Sequence, residues 1–443
     1  MNKPPAARKM GLWAAVAIAV GTMIGASIFS IFGLGAQIAG RELPEAFVLS
    51  GLLALIVAYS YAKLSARIVS NAGPIEYILH GIGDNVLAGA LSILLWLSYV
   101  VSIALFAKGF SGYFLPLFNL GLTSLGLAIT EVALIAVFTF LNFFGSSTVG
   151  KTEVYIVGVK LAILGVFIVL GLITLHPDMV RPAATSTAVQ GTLSAAIIFF
   201  LSYMGFGLVT NASENIREPE KTVPKAMFIS IAVVMVVYIA VSLAAIGNLS
   251  VAALVQAKDN ALAEAAKPFL GSFGFVLISI GALFSVSSAL NATLYAGANV
   301  AYSLAKDGEL PQVFEKKMWR GSQEGLYITA ALGILFVLTL PLGAIAAIIS
   351  SIFTIIYLFV VLSHYRLAPH VGGSRPLIAV NGVILLAVFA GLLNYQWQHQ
   401  RVAFWGTLLV LVGALLVEYL YRRFARRRLK TSTPHPATTS RNR

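Results

Sequence analysis

Twelve largely apolar stretches recur along the 443-residue chain. Each is long enough to cross a lipid bilayer, which takes roughly 20 residues of helix. Their centres fall near Gly21, Leu55, Tyr99, Phe138, Gly165, Ser202, Val236, Ser288, Leu335, Ile355, Val388 and Leu411. The ninth and tenth share one apolar run, split at Pro341-Leu342-Gly343. Soluble domains carry about 25% charged residues, whereas this chain has 11%, with 58% hydrophobic. The sequence therefore reads as an all-α polytopic membrane protein with 12 transmembrane helices. A soluble enzyme and a disordered chain are both excluded.

The net charge of +13 invites a nucleic-acid reading, but the positions of the charges reject it. Of the 30 Lys and Arg, Lys108 and Lys160 fall inside apolar stretches, and Arg41, Arg181, Lys258, Lys267 and Arg401 fall on one side of the spans. The other 23 lie at the termini and in the alternate loops, which places both ends of the chain in the cytoplasm. The basic residues between and after the spans are thus topology determinants and contacts for membrane lipids. The N-terminal apolar run is too long for a signal peptide and lacks a small-residue cleavage site, so it is the first transmembrane helix. The absence of cysteine rules out disulfides and thiolate metal sites. The six His show no metal-ligand spacing, and neither a phosphate-binding G-x-x-x-x-G-K-[ST] nor a converging Ser/His/Asp set is present. No metal, no cofactor and no enzymatic activity is expected.

The first apolar run is interrupted at its middle by Gly21-Thr22-Met23-Ile24-Gly25-Ala26-Ser27-Ile28-Phe29-Ser30. A break at membrane depth exposes backbone N–H and C=O groups, and is tolerated only where protein or a water-filled cavity covers it. Transporters use such half-helix ends to hold small charged solutes. A second interruption, Ser202-Tyr203-Met204-Gly205-Phe206-Gly207, falls in the sixth stretch. The third stretch (about 86–118) and the eighth (about 271–305) are both longer than a perpendicular span needs. Broken first helices and long third helices, matched across two halves of five, suggest inverted repeats over 11–185 and 186–370. An N-terminal segment 1–10, two further helices over 371–421 and a basic tail 422–443 complete the expected organisation. On the eighth helix, Gly281, Ser285, Ser288, Asn291, Tyr295, Asn299 and Tyr302 recur at steps of three or four. Such a small, polar face is expected to turn inward, either joining helices or lining a pathway at Ser285, Ser288 and Asn291.

At the sixth helix the sequence becomes specific. Phe200-Leu201-Ser202-Tyr203-Met204-Gly205-Phe206 and then Glu214-Asn215-Ile216-Arg217-Glu218-Pro219-Glu220-Lys221-Thr222-Val223-Pro224 match F-x-x-[FY]-x-G-[FW] and E-x-x-[KR]-x-P-x-[KR]-x-[IV]-P. With Asn71-Ala72-Gly73-Pro74-Ile75-Glu76-Tyr77 and Ala305-Lys306-Asp307-Gly308-Glu309-Leu310-Pro311, the chain resembles the amino acid–polyamine–organocation (APC) permeases over helices one to eight. The resemblance implies a leucine-transporter-like fold of 5+5 inverted repeats plus two C-terminal helices, moving amino acids, amines or polyamines by alternating access. It places the substrate carboxylate on N–H groups of Gly25, Ala26 and Ser27, and the ammonium on carbonyls of Met23, Leu201 and Met204. Ile24, Tyr203 and Gly205 complete the expected substrate-binding set. Helix N-termini suit anions on physical grounds alone.

Three departures stand out. Relatives read G-[ST]-G-[IV]-F where this chain has Gly25-Ala26-Ser27-Ile28-Phe29, so a side chain enters where backbone meets ligand, and Ser27 is able to donate its hydroxyl instead. Many relatives carry Glu or Asp at the position of Gly207, and Gly-Gly where Gly73-Pro74 stands. Lys160 matches a lysine that in the family resembles a built-in cation replacing sodium. An ammonium taken out of water exchanges its proton more readily, which makes Lys160 the candidate for proton coupling; the alternative is a side chain that snorkels to the interface. Lys108 is expected to be such an anchor. The expected function is secondary active amino-acid transport across the inner or plasma membrane, sodium-independent, coupled to protons or to a counter-transported amino acid. Because no unpaired intramembrane Asp or Glu is evident, neutral substrates are favoured. A polyamine or cationic amino acid antiporter, a channel, and a non-transporting amino-acid sensor are the alternatives.

Overall fold

A computed structural model describes residues 10–143, 149–183, 185–306 and 324–425. The start 1–9, the segment 307–323 with most of the Ala305-to-Pro311 motif, and the tail 426–443 lie outside it, as does the Ala26 side chain. The first broken helix comprises α1 (Leu12–Met23), α2 (Ala26–Ser30) and α3 (Phe32–Ala39), and α4 (Leu43–Ser65), α5 (Pro74–Ile82) and α6 (Val86–Leu117) follow. Then come α7 (Ser124–Phe143), α8 (Val149–Ile173) and α9 (Ser186–Phe199), the last running into a 3-10 stretch, Phe200–Asn215. The rest is α10 (Pro219–Ile246), α11 (Val251–Ala257), α12 (Ala261–Lys306), α13 (Glu324–Thr339), α14 (Leu342–Val371), α15 (Arg375–His399) and α16 (Arg401–Ala425).

Among the described residues, eleven helices are long and apolar enough to cross a membrane. A helix lies at each of the twelve expected centres, but the ninth, α13, is shorter than a full span, and Pro341 caps the start of α14. The chain is thus a multi-pass membrane protein. Its helix starts follow local chemistry. Asn85, Thr185 and Ser250 each accept a bond from the backbone N–H three residues on, opening α6, α9 and α11. Proline occupies the first turn of α4, α5, α10 and α15, where its missing N–H costs nothing.

The 32 residues of α6 make a helix about 48 Å long, well beyond a bilayer core. It runs through the centre of the bundle against α12, α13, α14, α16 and α7. Outer helices expose apolar side chains such as Leu125, Ile173, Val383 and Leu409, as a lipid-facing rim requires. The long α12 is really two helices joined at Gly271, whose φ of 61° only glycine adopts freely. That places the start of the eighth span at Gly271, as its length implied.

Two ionic clusters tie the bundle together. Lys108 is not a free anchor: its Nζ lies 3.6 Å from Oε1 of Glu131 on α7, which is buried and also accepts from Ser111 at 3.0 Å. At the other end of α6, Glu418 of α16 is fully buried against Gly89 and accepts from Arg422 Nε at 2.6 Å, and Arg422 reaches Asp84 as well. Stripping one partner from a buried pair costs about 3 kcal/mol or more. Glu418→Ala is therefore expected to lower the unfolding midpoint of the detergent-solubilised protein by about that free energy, and Glu418→Gln, which keeps an acceptor for Arg422, by less.

Candidate functional site

The first break is narrower than the sequence suggested and is not made by glycine. Gly21 remains inside α1. The turn sits on Ile24, with φ −81° and ψ 78°, and the N–H of Gly25 donates back to Met23 O at 3.0 Å. That is an inverse γ-turn, a conformation any residue adopts. Gly25 contributes room instead: a Cβ there would lie 3.4 Å from both Phe106 of α6 and Ala289 of α12. The break thus faces α6 and α12.

The carbonyls released by the turn are satisfied from inside the protein. Met23 O accepts from Tyr238 Oη at 2.5 Å, from Ser27 Oγ at 2.8 Å and from Gly25 N. A carbonyl offers two lone pairs, so Met23 O is saturated. Ile24 O accepts from Lys160 Nζ at 2.9 Å and Ser285 Oγ at 2.8 Å, and Lys160 also donates to Gly21 O at 2.6 Å. Three of the groups expected at the substrate have partners within the protein: Met23 O carries three donors, the Ser27 hydroxyl bonds Met23 O and Tyr238, and the Gly25 N–H closes the turn. The N–H groups of Ala26 and Ser27, at the start of α2, are those whose place in the helix leaves them without an intrahelical acceptor. Lys160 does not snorkel: it is 1% exposed and its ammonium is fixed to the broken end of α1.

The second interruption is also not a gap. From Phe200 to Asn215 the backbone tightens to i→i+3 bonding, an unusually long run for that geometry. The tighter wind keeps most backbone groups bonded while rotating the side chains. Tyr203, expected near substrate, points away: its hydroxyl donates to Phe47 O of α4 at 2.9 Å and its ring packs on Tyr238. Gly205 lies directly behind the first break, where a Cβ would come within 2.9 Å of Met23 N. Met204 O accepts from Tyr357 of α14 at 3.0 Å, in addition to its place in the i→i+3 bonding of the stretch. Leu201 is partly buried.

On α12, Ser285 reaches the break and Ser288, one turn on, is partly buried. Asn291 is committed elsewhere, accepting from Asn142 of α7 at 2.7 Å. Tyr295 is 39% exposed, so the polar stripe does not stay inside the bundle. Steps of seven residues fall about 20° short of two full turns, and over two or three such steps the face drifts outward.

The site is closed on both sides. Toward one end, Tyr61, Tyr99, Met204, Gly207, Asn211 and Tyr357 surround a cavity of about 20 Å³, room for about one water. Asn211 donates to Tyr99 Oη at 2.9 Å across it. Toward the other end, the turn Lys258–Asn260 rests on α3 and α6: a Cβ on Gly33 would meet Lys258 O at 2.3 Å, and one on Gly112 would meet Asp259. A wider depression of about 640 Å³, bordered by Gln37, Glu42, Thr185 and Val251, opens at the surface and touches neither break. Phe106, Ala289, Tyr238 and Tyr357 had no signal in the sequence, because each reaches the breaks from a remote helix.

A sequence profile described as Amino acid permease matches residues 10–415, nearly the whole chain. The chain belongs to the amino acid permease family. The permease is 60% identical over 95% of its length to a Methanocaldococcus jannaschii protein named "Uncharacterized protein MJ0609", 97% of which is covered. It is 34% identical to the "Inner membrane transport protein YbaT" of Escherichia coli, over 95% of both chains. It is also 31% identical to a "Methylthioribose transporter" of Bacillus subtilis, over 70% of each. In this permease Gly205 packs on Met23 and Thr22 of the first broken segment with no room for a Cβ. Gly205→Ala is expected to cost about 1–3 kcal/mol through overpacking, visible as a lower unfolding midpoint, whereas Gly165→Ala, with open space around it, leaves the midpoint unchanged within error.

Proposed function

We propose that the permease is a secondary active transporter of amino acids in the cytoplasmic membrane, with both termini in the cytoplasm, working by alternating access. The observation that carries this reading is the broken α1 held by α6, α8, α10 and α12 at the centre of a closed bundle. Such a break has no structural advantage in a membrane, yet here four other helices supply partners for it. The long α6 and α12, at corresponding places in the two halves, support an inverted-repeat construction over 11–185 and 186–370.

The substrate carboxylate lies at the Ala26 and Ser27 N–H groups, where the start of α2 favours negative charge. The ammonium is served by carbonyls of the 200–215 stretch, Leu201 O and Met204 O, rather than by Met23 O, which already carries three donors. Lys160 stands as a fixed cation on Gly21 O and Ile24 O, which supports transport without sodium. Loss of its proton would weaken its hold on the broken end of α1, and this links protonation to the shape of the site. Among the described residues, Glu131 and Glu418, buried on α7 and α16, are each paired with a basic side chain, and Glu42, buried at the start of α4, accepts from the Ala183 N–H at 2.6 Å. That favours a neutral substrate over a cationic amino acid or a polyamine.

Purified protein in liposomes, offered a panel of amino acids, polyamines and methylthioribose, is expected to take up a neutral amino acid saturably, with counterflow and without sodium. Strict sodium dependence would remove the role given to Lys160. Saturable binding without flux would identify a sensor, and flux without saturation or counterflow a channel. Lys160→Ala is expected to cut uptake at least tenfold while binding changes less, and to abolish the dependence of uptake on pH; an unchanged pH profile would make Lys160 purely structural.

A further inference from the structure

Tyr238 of α10 places one hydroxyl among oxygens from both interrupted segments. Its Oη lies 2.5 Å from Met23 O, 3.0 Å from Ser27 Oγ and 3.4 Å from Ser202 O. The first two belong to the break of α1 and the start of α2, and the third to the tightened 200–215 stretch. No other side chain has a hydrogen bond to both segments among the bonds found in the described residues. Tyr238 is fully buried, so water does not compete for these bonds.

We propose that Tyr238 is a positioning residue for the substrate site, whose hydroxyl sets the spacing between the two interrupted segments. This role rests on the placement of the substrate between those segments. Proton counting gives the hydroxyl its character. Tyr238 and Ser27 bring two protons to three acceptor positions: Met23 O, Ser202 O and each other. The Tyr238 proton is committed to Met23 O, the shortest contact. Ser202 O, at 3.4 Å, is the weaker second acceptor, and the Ser202 hydroxyl is itself buried without a hydrogen-bond partner. The one proton is thus donated mainly to Met23 O, and Ser202 O is reached only as the long arm of a shared bond. Any change in spacing at the site therefore alters how its proton is shared.

The ring is held independently of the hydroxyl. Phe47 and Tyr203 flank it at centroid distances of 5.1 and 5.5 Å, and Tyr203 is anchored by its own bond to Phe47 O. Tyr238→Phe therefore removes one oxygen and keeps the packing. Losing the hydroxyl leaves Met23 O with only the two donors of its own segment, Ser27 Oγ and Gly25 N, and so loosens both segments, which are the two walls of the site.

Two measurements test this. Hydrogen–deuterium exchange on the purified protein without substrate is expected to show peptides covering 22–28 and 200–206 exchanging about tenfold faster in Tyr238→Phe, with other spans unaltered. In liposomes, the same variant is expected to raise the KM for the transported amino acid about tenfold while Vmax stays within about twofold. A general folding defect would lower abundance and Vmax but not KM. Exchange unchanged in both peptides, or KM unchanged in an active protein, would overturn the positioning role. If the wild type takes up no amino acid at all, the proposed function fails, and the exchange experiment still decides whether Tyr238 links the segments.

Discussion

The architecture depends on one constraint: a backbone interrupted at membrane depth has to be bonded by its neighbours. A single inverse γ-turn at Ile24 releases the carbonyls of Gly21, Met23 and Ile24, and three distant helices answer it. Lys160 comes from α8, Tyr238 from α10 and Ser285 from α12. Each donor is a polar side chain that would be costly against lipid, and each is stable only because the turn exists. The turn and its partners are therefore mutually required. The rest of the bundle, above all the close approach of Gly205 and the facing pair Phe106 and Ala289, is arranged around them.

How much of this could be read in advance follows from the range of the interactions. Hydrophobic length gave the spans, because a bilayer imposes one local rule on every crossing segment. Small residues located both interruptions, around Ile24 and over 202–207, and the family motifs then made the second one specific. What stayed hidden was the division of labour. Tyr238 and Met23 are 215 residues apart, and nothing near Tyr238 on α10 distinguishes it from an interfacial tyrosine. The same holds for Glu131, whose pairing with Lys108 turned an expected anchor into an internal ion pair. Sequence also misjudged the kind of interruption. The residues at 202–207 suggested an interruption, and its form is a tighter wind in which the chain stays bonded.

The saturation of Met23 O and Ile24 O has a chemical meaning of its own. A site that presented bare carbonyls would attract any small cation of suitable size. Here those oxygens are already covered by an ammonium and by hydroxyls, so the break is neutralised before substrate arrives. The donor side, at the start of α2, keeps its capacity. That asymmetry suits a ligand whose anionic end is recognised by backbone and whose cationic end is held more loosely.

A small feature at the chain's entrance bears on how such a bundle moves. Met10, just before α1, forms a parallel β-bridge with Ile216, just after the tightened stretch: Met10 N donates to Asn215 O at 2.9 Å and Arg217 N to Met10 O at 2.8 Å. The two interrupted segments are thus fastened at their ends by main chain and at their middles by a phenol. Two rungs make a ladder, and a ladder resists shear. Swinging α1 outward alone would tear both rungs, whereas turning the pair together breaks neither. What holds the first segment to α8 and α12 is then the set of bonds from Lys160 and Ser285, while Gly25 meets α12 only at the methyl of Ala289.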